Sequence, residues 1–269
     1  MSDTVGVALG QFPVGFDVKE NERSILEAIA AAEPGDVVVT PEGSLSGYPR
    51  EPEEVPLLDS VDADGVTRAV ERLAVVVAER GVDLVAGACV LGPHGWENLA
   101  LILRADGTRH EYRKLNLARF EREAFRAGGD LRPFSLGPPG AEASVGVQLC
   151  REVRFPEQWV ALALQGAQVF LHPTNGVGDE AAREVWQAMV VARAAELQRY
   201  VVSVSAADPA QICPSMAVAP DGRVLARIPP GTPANERVEL DLRRIGDVYL
   251  GERRTDLEAV SGGAQAGRS

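Results

Sequence analysis

The sequence is poor in the residues that bind metals and form disulfide bonds. Only three cysteines and three histidines occur among its 269 residues. Cys89, Cys150 and Cys213 are odd in number and far apart, which gives neither a disulfide framework nor a CxxC metal motif. The histidines do not pair at HxxxH or HExxH spacing. We therefore expect no metal site.

The sequence also has fewer basic residues than acidic ones. Lys and Arg number 27 against 39 Asp and Glu, a formal net charge of −12. Because an acidic chain repels phosphate backbones and anionic lipid, we expect no nucleic-acid or membrane partner. The first residues lack a basic region followed by a long apolar core, and no apolar run approaches the length of a membrane span. These absences predict a soluble, reduced, cytoplasmic protein.

What the sequence does contain is an alternation of β-branched apolar runs and amphipathic segments. Strands are predicted at 5–10, 37–39, 84–90, 98–103, 108–114, 145–149, 169–172, 200–205, 216–218, 223–228 and 237–242. Helices are predicted at 21–32, 64–80, 158–166 and 180–198. This order favours an α/β fold of mixed sheets with helices on the outer faces. We expect a single domain over 1–257 and a C-terminal tail, 258–269, that is flexible or docks on a partner subunit.

Cys150 stands where the apolar run 145–149 ends and a few polar residues lead into the next helix. The pattern predicts a strand, a sharp turn and a helix, with the thiol at the turn. A helix N-terminus favours negative charge, so we expect it to lower the pKa of this thiol and favour the nucleophilic thiolate. The alternative is that Cys150 is a small buried apolar residue, the commoner role of an isolated cysteine.

Two more polar residues follow predicted strands. Glu42 comes after 37–39, and Lys114 ends the returning strand of a hairpin. Because ligands collect beyond strand ends in α/β sheets, Glu42, Lys114 and Cys150 could meet there. The carboxylate would take the thiol proton, and the ammonium would stabilise an oxyanion. Taken singly, a glutamate in a turn and a lysine after a strand are more often solvated surface residues.

Five segments in order resemble the nitrilase, or carbon–nitrogen hydrolase, superfamily, and the resemblance covers residues 5 to about 257. The segments are TPEGSLSGYP (40–49), YRKLNL (112–117), CREVRFPE (150–157), SMAVAPDGRV (215–224) and RRTDL (253–257). They resemble the family's PE…GY, YRKxHL, C-[YW]-D-x-R-[FY]-P-E, S-x-[VI]-x-x-P-x-G-x-[VI] and RRPDL patterns. Each match is weak alone, but their common order is specific.

The resemblance implies a catalytic Glu–Lys–Cys triad, which falls here on Glu42, Lys114 and Cys150. It also implies a second glutamate in an E-x-x-x-F-x-x-G context, which Glu121 fits, with Glu123 as the competing position. The implied fold is a four-layer αββα sandwich of two mixed sheets. Such chains usually form a homodimer through helix faces beside the active site, and neither a metal nor an organic cofactor is implied.

Some positions depart from the family pattern. Arg151-Glu152 replaces Tyr/Trp-Asp after the cysteine, and Asn116 replaces the histidine after the lysine. The Arg151 backbone N–H still fits an oxyanion hole, while its side chain would narrow the pocket or bind an anionic group of the substrate. These departures bear on the choice of substrate rather than on the triad.

Four residues are candidates for substrate binding. Tyr48 lies in the first family-like segment, and Arg151 follows the cysteine. His172 and Asn175 lie at the end of the strand after Cys150, where they either line the pocket or act as capping and turn residues.

The resemblance implies hydrolysis of a non-peptide carbon–nitrogen bond in a small amide or N-carbamoyl compound through a thioester intermediate. Glu42 would deprotonate Cys150, and Lys114 with the Arg151 N–H would hold the oxyanion. One alternative is a nitrilase that converts a nitrile to a carboxylic acid. Another is a catalytically idle scaffold that binds a small molecule or a partner protein on the same fold.

Overall fold

The computed structural model describes residues 3–254 and contains two β-sheets with helices on their outer faces. The strands are β1 (Thr4–Gln11), β2 (Val37–Val39), β3 (Asp83–Gly92), β4 (Gly95–Leu103), β5 (Arg109–Arg113), β6 (Phe125–Arg126), β7 (Phe134–Leu136), β8 (Ala143–Val147), β9 (Val169–Pro173), β10 (Tyr200–Val204), β11 (Ser215–Val218), β12 (Val224–Ile228) and β13 (Ala234–Asp241). The α-helices are α1 (Val18–Ala31), α2 (Ala63–Arg80), α3 (Glu121–Ala124), α4 (Pro156–Leu164), α5 (Glu180–Leu197) and α6 (Val248–Gly251). Segments of 3₁₀ helix cover Pro52–Ser60, Cys150–Arg154 and Leu242–Arg244.

The strand directions bring several strand ends to common sheet edges. The first sheet has the order β13-β1-β2-β3-β4-β5, with β6 beside β4, and the second has the order β12-β11-β10-β9-β8-β7. Strand β2 is parallel to β3, and β4 is antiparallel to both β3 and β5, so β5 runs in the direction of β2. In the second sheet β8, β9 and β10 are parallel. The carboxyl ends of β2 and β5 therefore share one edge, as do those of β8 and β9.

Three apolar cores separate four layers. Val5, Val85 and Ile102 of the first sheet pack against Val145 and Leu171 of the second. A second core lies between the first sheet and helices α1 and α2, and a third lies between the second sheet and helices α4 and α5. Because the central strands are covered on both faces, their sequences are continuous apolar runs rather than alternating ones. The predicted αββα sandwich is confirmed.

The long helices begin at aspartate caps. The side chains of Asp17, Asp62 and Asp179 accept hydrogen bonds from backbone N–H groups in the first turns of α1, α2 and α5. The cap at Asp17 explains why α1 begins at Val18, before the helix predicted at 21–32. Among residues 3–254, no helix has the length and apolar character needed to cross a membrane. The predicted domain end at 257 and the tail 258–269 lie outside the described residues.

Gly87 in β3 allows the loop after β2 to cross the sheet at close range. A Cβ atom at this position would lie 2.3 Å from the backbone nitrogen of Gly43 and 2.6 Å from the Cα atom of Glu42. A larger residue would therefore displace this loop. The backbone of Glu42 is thus set by its packing on β3.

Glu152, a buried carboxylate, ties the turn after β8 to the end of β5. Its side chain accepts hydrogen bonds from the backbone N–H groups of Leu149, Leu115 and Asn116 at 2.8–3.0 Å, and from the hydroxyl of Tyr112 at 2.8 Å. Strand β8 ends at Val147 rather than at the predicted residue 149, and the N–H of Leu149 is bonded to Glu152. Burial raises the pKa of Glu152, and the backbone hydrogen bonds oppose that rise. The carboxylate of Glu152 therefore links the end of β5, in the first sheet, to the turn after β8, in the second.

We expect Glu152→Gln to destabilise the fold, because an amide nitrogen cannot accept a bond from a backbone N–H. At least one buried N–H would lose its partner, at a cost of about 1–3 kcal/mol. The free energy of unfolding, measured in urea, should fall by that amount. Glu157→Gln, an exposed position on α4, is the charge-matched control and should change it by less than about 0.5 kcal/mol. Equal unfolding midpoints for the two variants would contradict this role of Glu152.

Candidate active site

The strand ends gather polar residues around one small cavity. Glu42 follows β2, Lys114 follows β5, Cys150 follows β8 and Asn175 follows β9. Lys114, Cys150 and Asn175 line a cavity of about 220 Å³, and Glu42 is fully buried against Lys114. The structure thus brings together the three residues of the predicted triad, which lie on separate strands.

A buried lysine lies between two buried carboxylates. The Nζ atom of Lys114 is 2.9 Å from Oε1 of Glu42 and 2.8 Å from Oε1 of Glu121. The Nδ2 atom of Asn98, on β4, donates to the same two oxygens at 2.8 and 3.2 Å. Tyr48 donates its hydroxyl to Glu121 at 2.8 Å. Every one of these side chains is buried, so their charges interact with little screening by water.

The two carboxylates differ in how many partners they have. Glu121 accepts through both oxygens, because its Oε2 also receives the backbone N–H of Ala118. Glu42 accepts only through Oε1, and its buried Oε2 has no hydrogen-bond partner among the described residues. An unpartnered buried oxygen is costly, and such an atom is a strong candidate for a proton acceptor. Glu42 thus has one open carboxylate oxygen, whereas Glu121 is held at both.

The pKa values of the two glutamates diverge accordingly. Burial raises the pKa of Glu42, and the charge of Glu121 adds to the rise, although Lys114 opposes it. Burial would also raise the pKa of Glu121, but the charge and hydrogen bond of Lys114 lower it below its ordinary value. Burial opposes the charge of Lys114 as well, yet the two carboxylates outweigh it and raise the pKa of the ammonium. Lys114 and Glu121 stay ionised while Glu42 can exchange a proton.

Cys150 has a left-handed backbone, with φ at 43°. The residue is buried apart from a few per cent of its surface, and the neighbouring Gly176 leaves space beside Sγ, since a Cβ there would lie 3.5 Å from the sulfur. A side chain at such a turn projects away from the strand, as in other nucleophile turns. The predicted strand, turn and helix are confirmed at this position.

The expectation of a lowered thiol pKa is wrong. Burial raises the pKa of the Cys150 thiol well above its ordinary value, and the negative charge of Glu42 raises it further, while Lys114 and the backbone N–H of Asn175 oppose the rise. Helix α4 begins only at Pro156, so its N-terminus is not at the sulfur. Burial and the charge of Glu42 therefore favour the neutral thiol over the thiolate at this position.

His172 does not line the cavity, which corrects its assignment to substrate binding. The residue is fully buried, and its ring nitrogens lie 2.8 Å from the carbonyl oxygen of Cys150 and 3.0 Å from Oγ of Ser203. A carbonyl can only accept, so Nε2 donates and Nδ1 receives the serine proton. Burial lowers the pKa of His172 to about 4 and keeps the ring neutral. The histidine therefore holds the backbone of Cys150 in place.

The remaining candidates line the cavity. Asn175 donates from Nδ2 to the carbonyl oxygen of Glu42 at 3.3 Å and accepts from Gln211 at 2.7 Å. Tyr48 lines the wall beside Lys114, and Arg151 is exposed at the margin. Of these side chains, only Arg151 is free of hydrogen bonds to the residues that the structure describes.

Three other outcomes concern residues that the sequence pattern singled out or missed. Glu121 is buried beside Lys114, whereas its competitor Glu123 is exposed. Asn98 was not identified, although a polar residue at the start of the apolar run NLALIL was a usable signal. Trp186 is buried in the core between the second sheet and helices α4 and α5, and it also forms part of the cavity wall.

No metal site accompanies this cluster within the described part of the chain. Residues 3–254 contain no group of three or more His, Cys, Asp or Glu side chains arranged to hold a metal ion. Cys89 and Cys213 are both buried, and burial raises the pKa of Cys213 to about 12. Cys150 is therefore the thiol that reaches the cavity.

Comparison with known proteins identifies relatives along most of the chain. Residues 6–249 match the family model described as carbon-nitrogen hydrolase. An (R)-stereoselective amidase from a Pseudomonas species is 31% identical, over 78% of this chain and 75% of its own length. A nitrilase from Pyrococcus abyssi is 36% identical, over 60% of each chain. The chain spans only 31% of the length of another relative, a glutamine-dependent NAD(+) synthetase from Xanthomonas campestris.

The solved structures agree with these matches. An amidase from Nesterenkonia sp. superposes with a TM-score of 0.79 at 27% identity, over 96% of each chain. A mutant of that amidase shows covalent addition of the acetamide moiety of fluoroacetamide at its active site cysteine. Because the family match spans nearly the whole described chain and the fold agrees with it, the protein belongs to the carbon-nitrogen hydrolase family.

Proposed function

We propose that the protein is a cysteine hydrolase that cleaves a non-peptide carbon–nitrogen bond in a small amide or N-carbamoyl compound through a thioester intermediate. The observation that supports this most directly is the free Oε2 of Glu42, buried beside Lys114 and Cys150 while Oε1 is held by two donors. That arrangement provides a base whose orientation is fixed and whose proton-accepting oxygen is unoccupied.

Glu42 starts the reaction by taking the proton of the Cys150 thiol on Oε2. The sulfur then forms a bond to the amide carbon, and the carbonyl electrons move onto oxygen. An ammonium has three donors, and Glu42 and Glu121 occupy two of those on Lys114 at 2.9 and 2.8 Å. The third points to the hydroxyl oxygen of Tyr48 at 3.5 Å, a long contact that the oxyanion would replace, and the backbone N–H of Arg151 would be the second donor to the oxyanion.

Glu42 next returns its proton to the amine nitrogen as the carbon–nitrogen bond breaks. This leaves a thioester on Cys150 and releases ammonia or an amine. A water molecule then gives a proton to Glu42 and attacks the thioester carbon. The carbon–sulfur bond breaks, the sulfur recovers a proton and the carboxylic acid leaves. Glu121 acts through Lys114, whose position it fixes.

The nitrilase activity of one relative keeps a second candidate function open, since the same thiol attack is suited to a nitrile carbon. The small cavity, about 220 Å³, fits either kind of substrate. An idle scaffold is disfavoured, because burying Lys114 between two carboxylates is hard to explain by binding alone. An ammonia-release screen over small amides, carbamoyl compounds and nitriles separates the three.

We expect brief iodoacetamide treatment at neutral pH to add one label to Cys150, because Glu42 can take the thiol proton. Intact mass should show a single fast adduct that is absent from Cys150→Ala, while the buried Cys89 and Cys213 react slowly in both proteins. Ammonia release from the best substrate should disappear in the same variant. Labelling no faster than that of a free thiol would rule out the covalent mechanism.

Glu42→Gln should reduce kcat/KM by about a hundredfold to ten-thousandfold, because the amide keeps the acceptor for Lys114 but cannot take a proton. The exposed Glu123→Gln, with the same change of charge, should retain wild-type activity.

Only ionised Glu42 acts as a base, so wild-type kcat/KM should fall on acidification. Because burial raises the pKa of Glu42, this acid limb should lie above the ordinary 4.5 of a glutamate. A pH profile flat down to that value would refute the assignment.

Asn98→Leu should move the acid limb to higher pH. The hydrogen bond from Asn98 lowers the pKa of Glu42, so its loss leaves the carboxylate easier to protonate. Leucine is close to asparagine in size, and the pH profile of kcat/KM measures the shift directly. A uniform loss of rate with no displacement of the limb would mean that Asn98 only maintains the structure.

A further inference from the structure

Two arginines at the cavity have no acidic partner among residues 3–254. Arg151 and Arg154 both line the cavity that contains Cys150, and both are exposed. They form no hydrogen bond or ion pair with any described residue. In contrast, Arg50 at the same cavity pairs with Glu54 and Asp208, and Lys114 pairs with Glu42 and Glu121. The other cations of the lining are thus neutralised within the protein.

The local backbone places the two guanidinium groups on one side of the turn. Cys150–Arg154 is a 3₁₀ segment, and residues three apart eclipse one another in that helix. Arg154 is also held over the ring of Trp186, with its Cζ 5.9 Å from the ring centroid. Arg151 immediately follows the nucleophile and has no such contact. Arg154 is therefore held against an aromatic ring, whereas the guanidinium of Arg151 has all its donors available for a ligand.

The positive charge of these two arginines is opposite in sign to the net charge of the chain. The net charge is −12, so the overall field repels anions, and any attraction to an anion has to be local. A guanidinium presents parallel N–H donors that match the two oxygens of a carboxylate. The cavity volume, about 220 Å³, limits the ligand to a small molecule.

We infer that Arg151, with Arg154, selects substrates in which the amide is joined by a short chain to a carboxylate. This inference rests on the proposed hydrolase function and adds the substrate class. The carboxylate would contact the arginines at the mouth of the cavity while the amide carbon reaches Sγ of Cys150. Arg151 is then a determinant of specificity and takes no part in bond cleavage.

Alkylation by iodoacetate and iodoacetamide tests this inference without turnover, because the two reagents differ only in the carboxylate. The rate constant for iodoacetate divided by that for iodoacetamide should be larger at Cys150 than for N-acetylcysteine. Arg151→Gln and Arg154→Gln should each lower that ratio about tenfold, since each removes charge-assisted hydrogen bonds. Arg151→Lys should give an intermediate ratio, because it keeps the charge but loses the paired N–H donors of the guanidinium. Arg68→Gln on the outer helix α2 is the charge-matched control.

Steady-state kinetics with a charged and a neutral amide provide a second test of this inference. Succinamate and its neutral near-isostere levulinamide should differ in kcat/KM in favour of the anion, and Arg151→Gln should raise KM for succinamate alone. Equal values for both substrates in the wild type, or an equal loss on both in Arg151→Gln, would overturn the inference. If Cys150 reacts with iodoacetamide but shows no anion preference, only this inference fails. If Cys150 does not react at all, the proposed function fails and the inference fails with it.

Discussion

The buried ion cluster of Lys114, Glu42 and Glu121 is the interaction on which the rest of the site depends. Removing any one of these charges from water is expensive unless opposite charges and hydrogen bonds surround it. Here the lysine contacts both carboxylates below 3 Å, and Asn98 contacts both as well. Three charges sum to one negative charge, which falls on the glutamate with an unpartnered oxygen. The cluster therefore has one proton position that can change without disrupting its packing.

Much of this arrangement could be predicted from the sequence. The short β-branched run before Glu42 and the hairpin before Lys114 both place a polar residue just beyond a strand, where α/β folds gather ligands. The α/β class, with helices on the outer faces, followed from the alternation of strands and helices, whereas the four-layer order was implied by the family resemblance. Linking Glu42, Lys114 and Cys150 needed the family-like segments, since the three residues lie on different strands of two sheets and local patterns hold no information on such contacts.

Other features depend on tertiary contacts that no local pattern reveals. A polar residue at the start of an apolar run marks Asn98 as unusual, but its contacts with Glu42 and Glu121 are seen only in the folded chain. Glu152 looked like a departure from the family pattern, yet its four hydrogen bonds join the two sheets. The thiol pKa was misjudged because the local sequence shows a helix ahead but not the burial of Cys150 or the proximity of Glu42. Burial dominates that pKa, and burial is a property of the whole fold.

The left-handed backbone of Cys150 is unfavourable for the stability of the fold, whereas the proposed mechanism needs the side chain that makes it so. For any residue other than glycine this conformation is unfavourable by about 1–2 kcal/mol, because Cβ approaches the carbonyl oxygen. Selection for a more stable protein alone would replace Cys150 with glycine, which removes the strain and the sulfur together. In the proposed mechanism that sulfur is the nucleophile, so the strain accompanies the reactive group. Related chains that have lost their activity would be expected to lose the strained side chain at this turn early in their divergence.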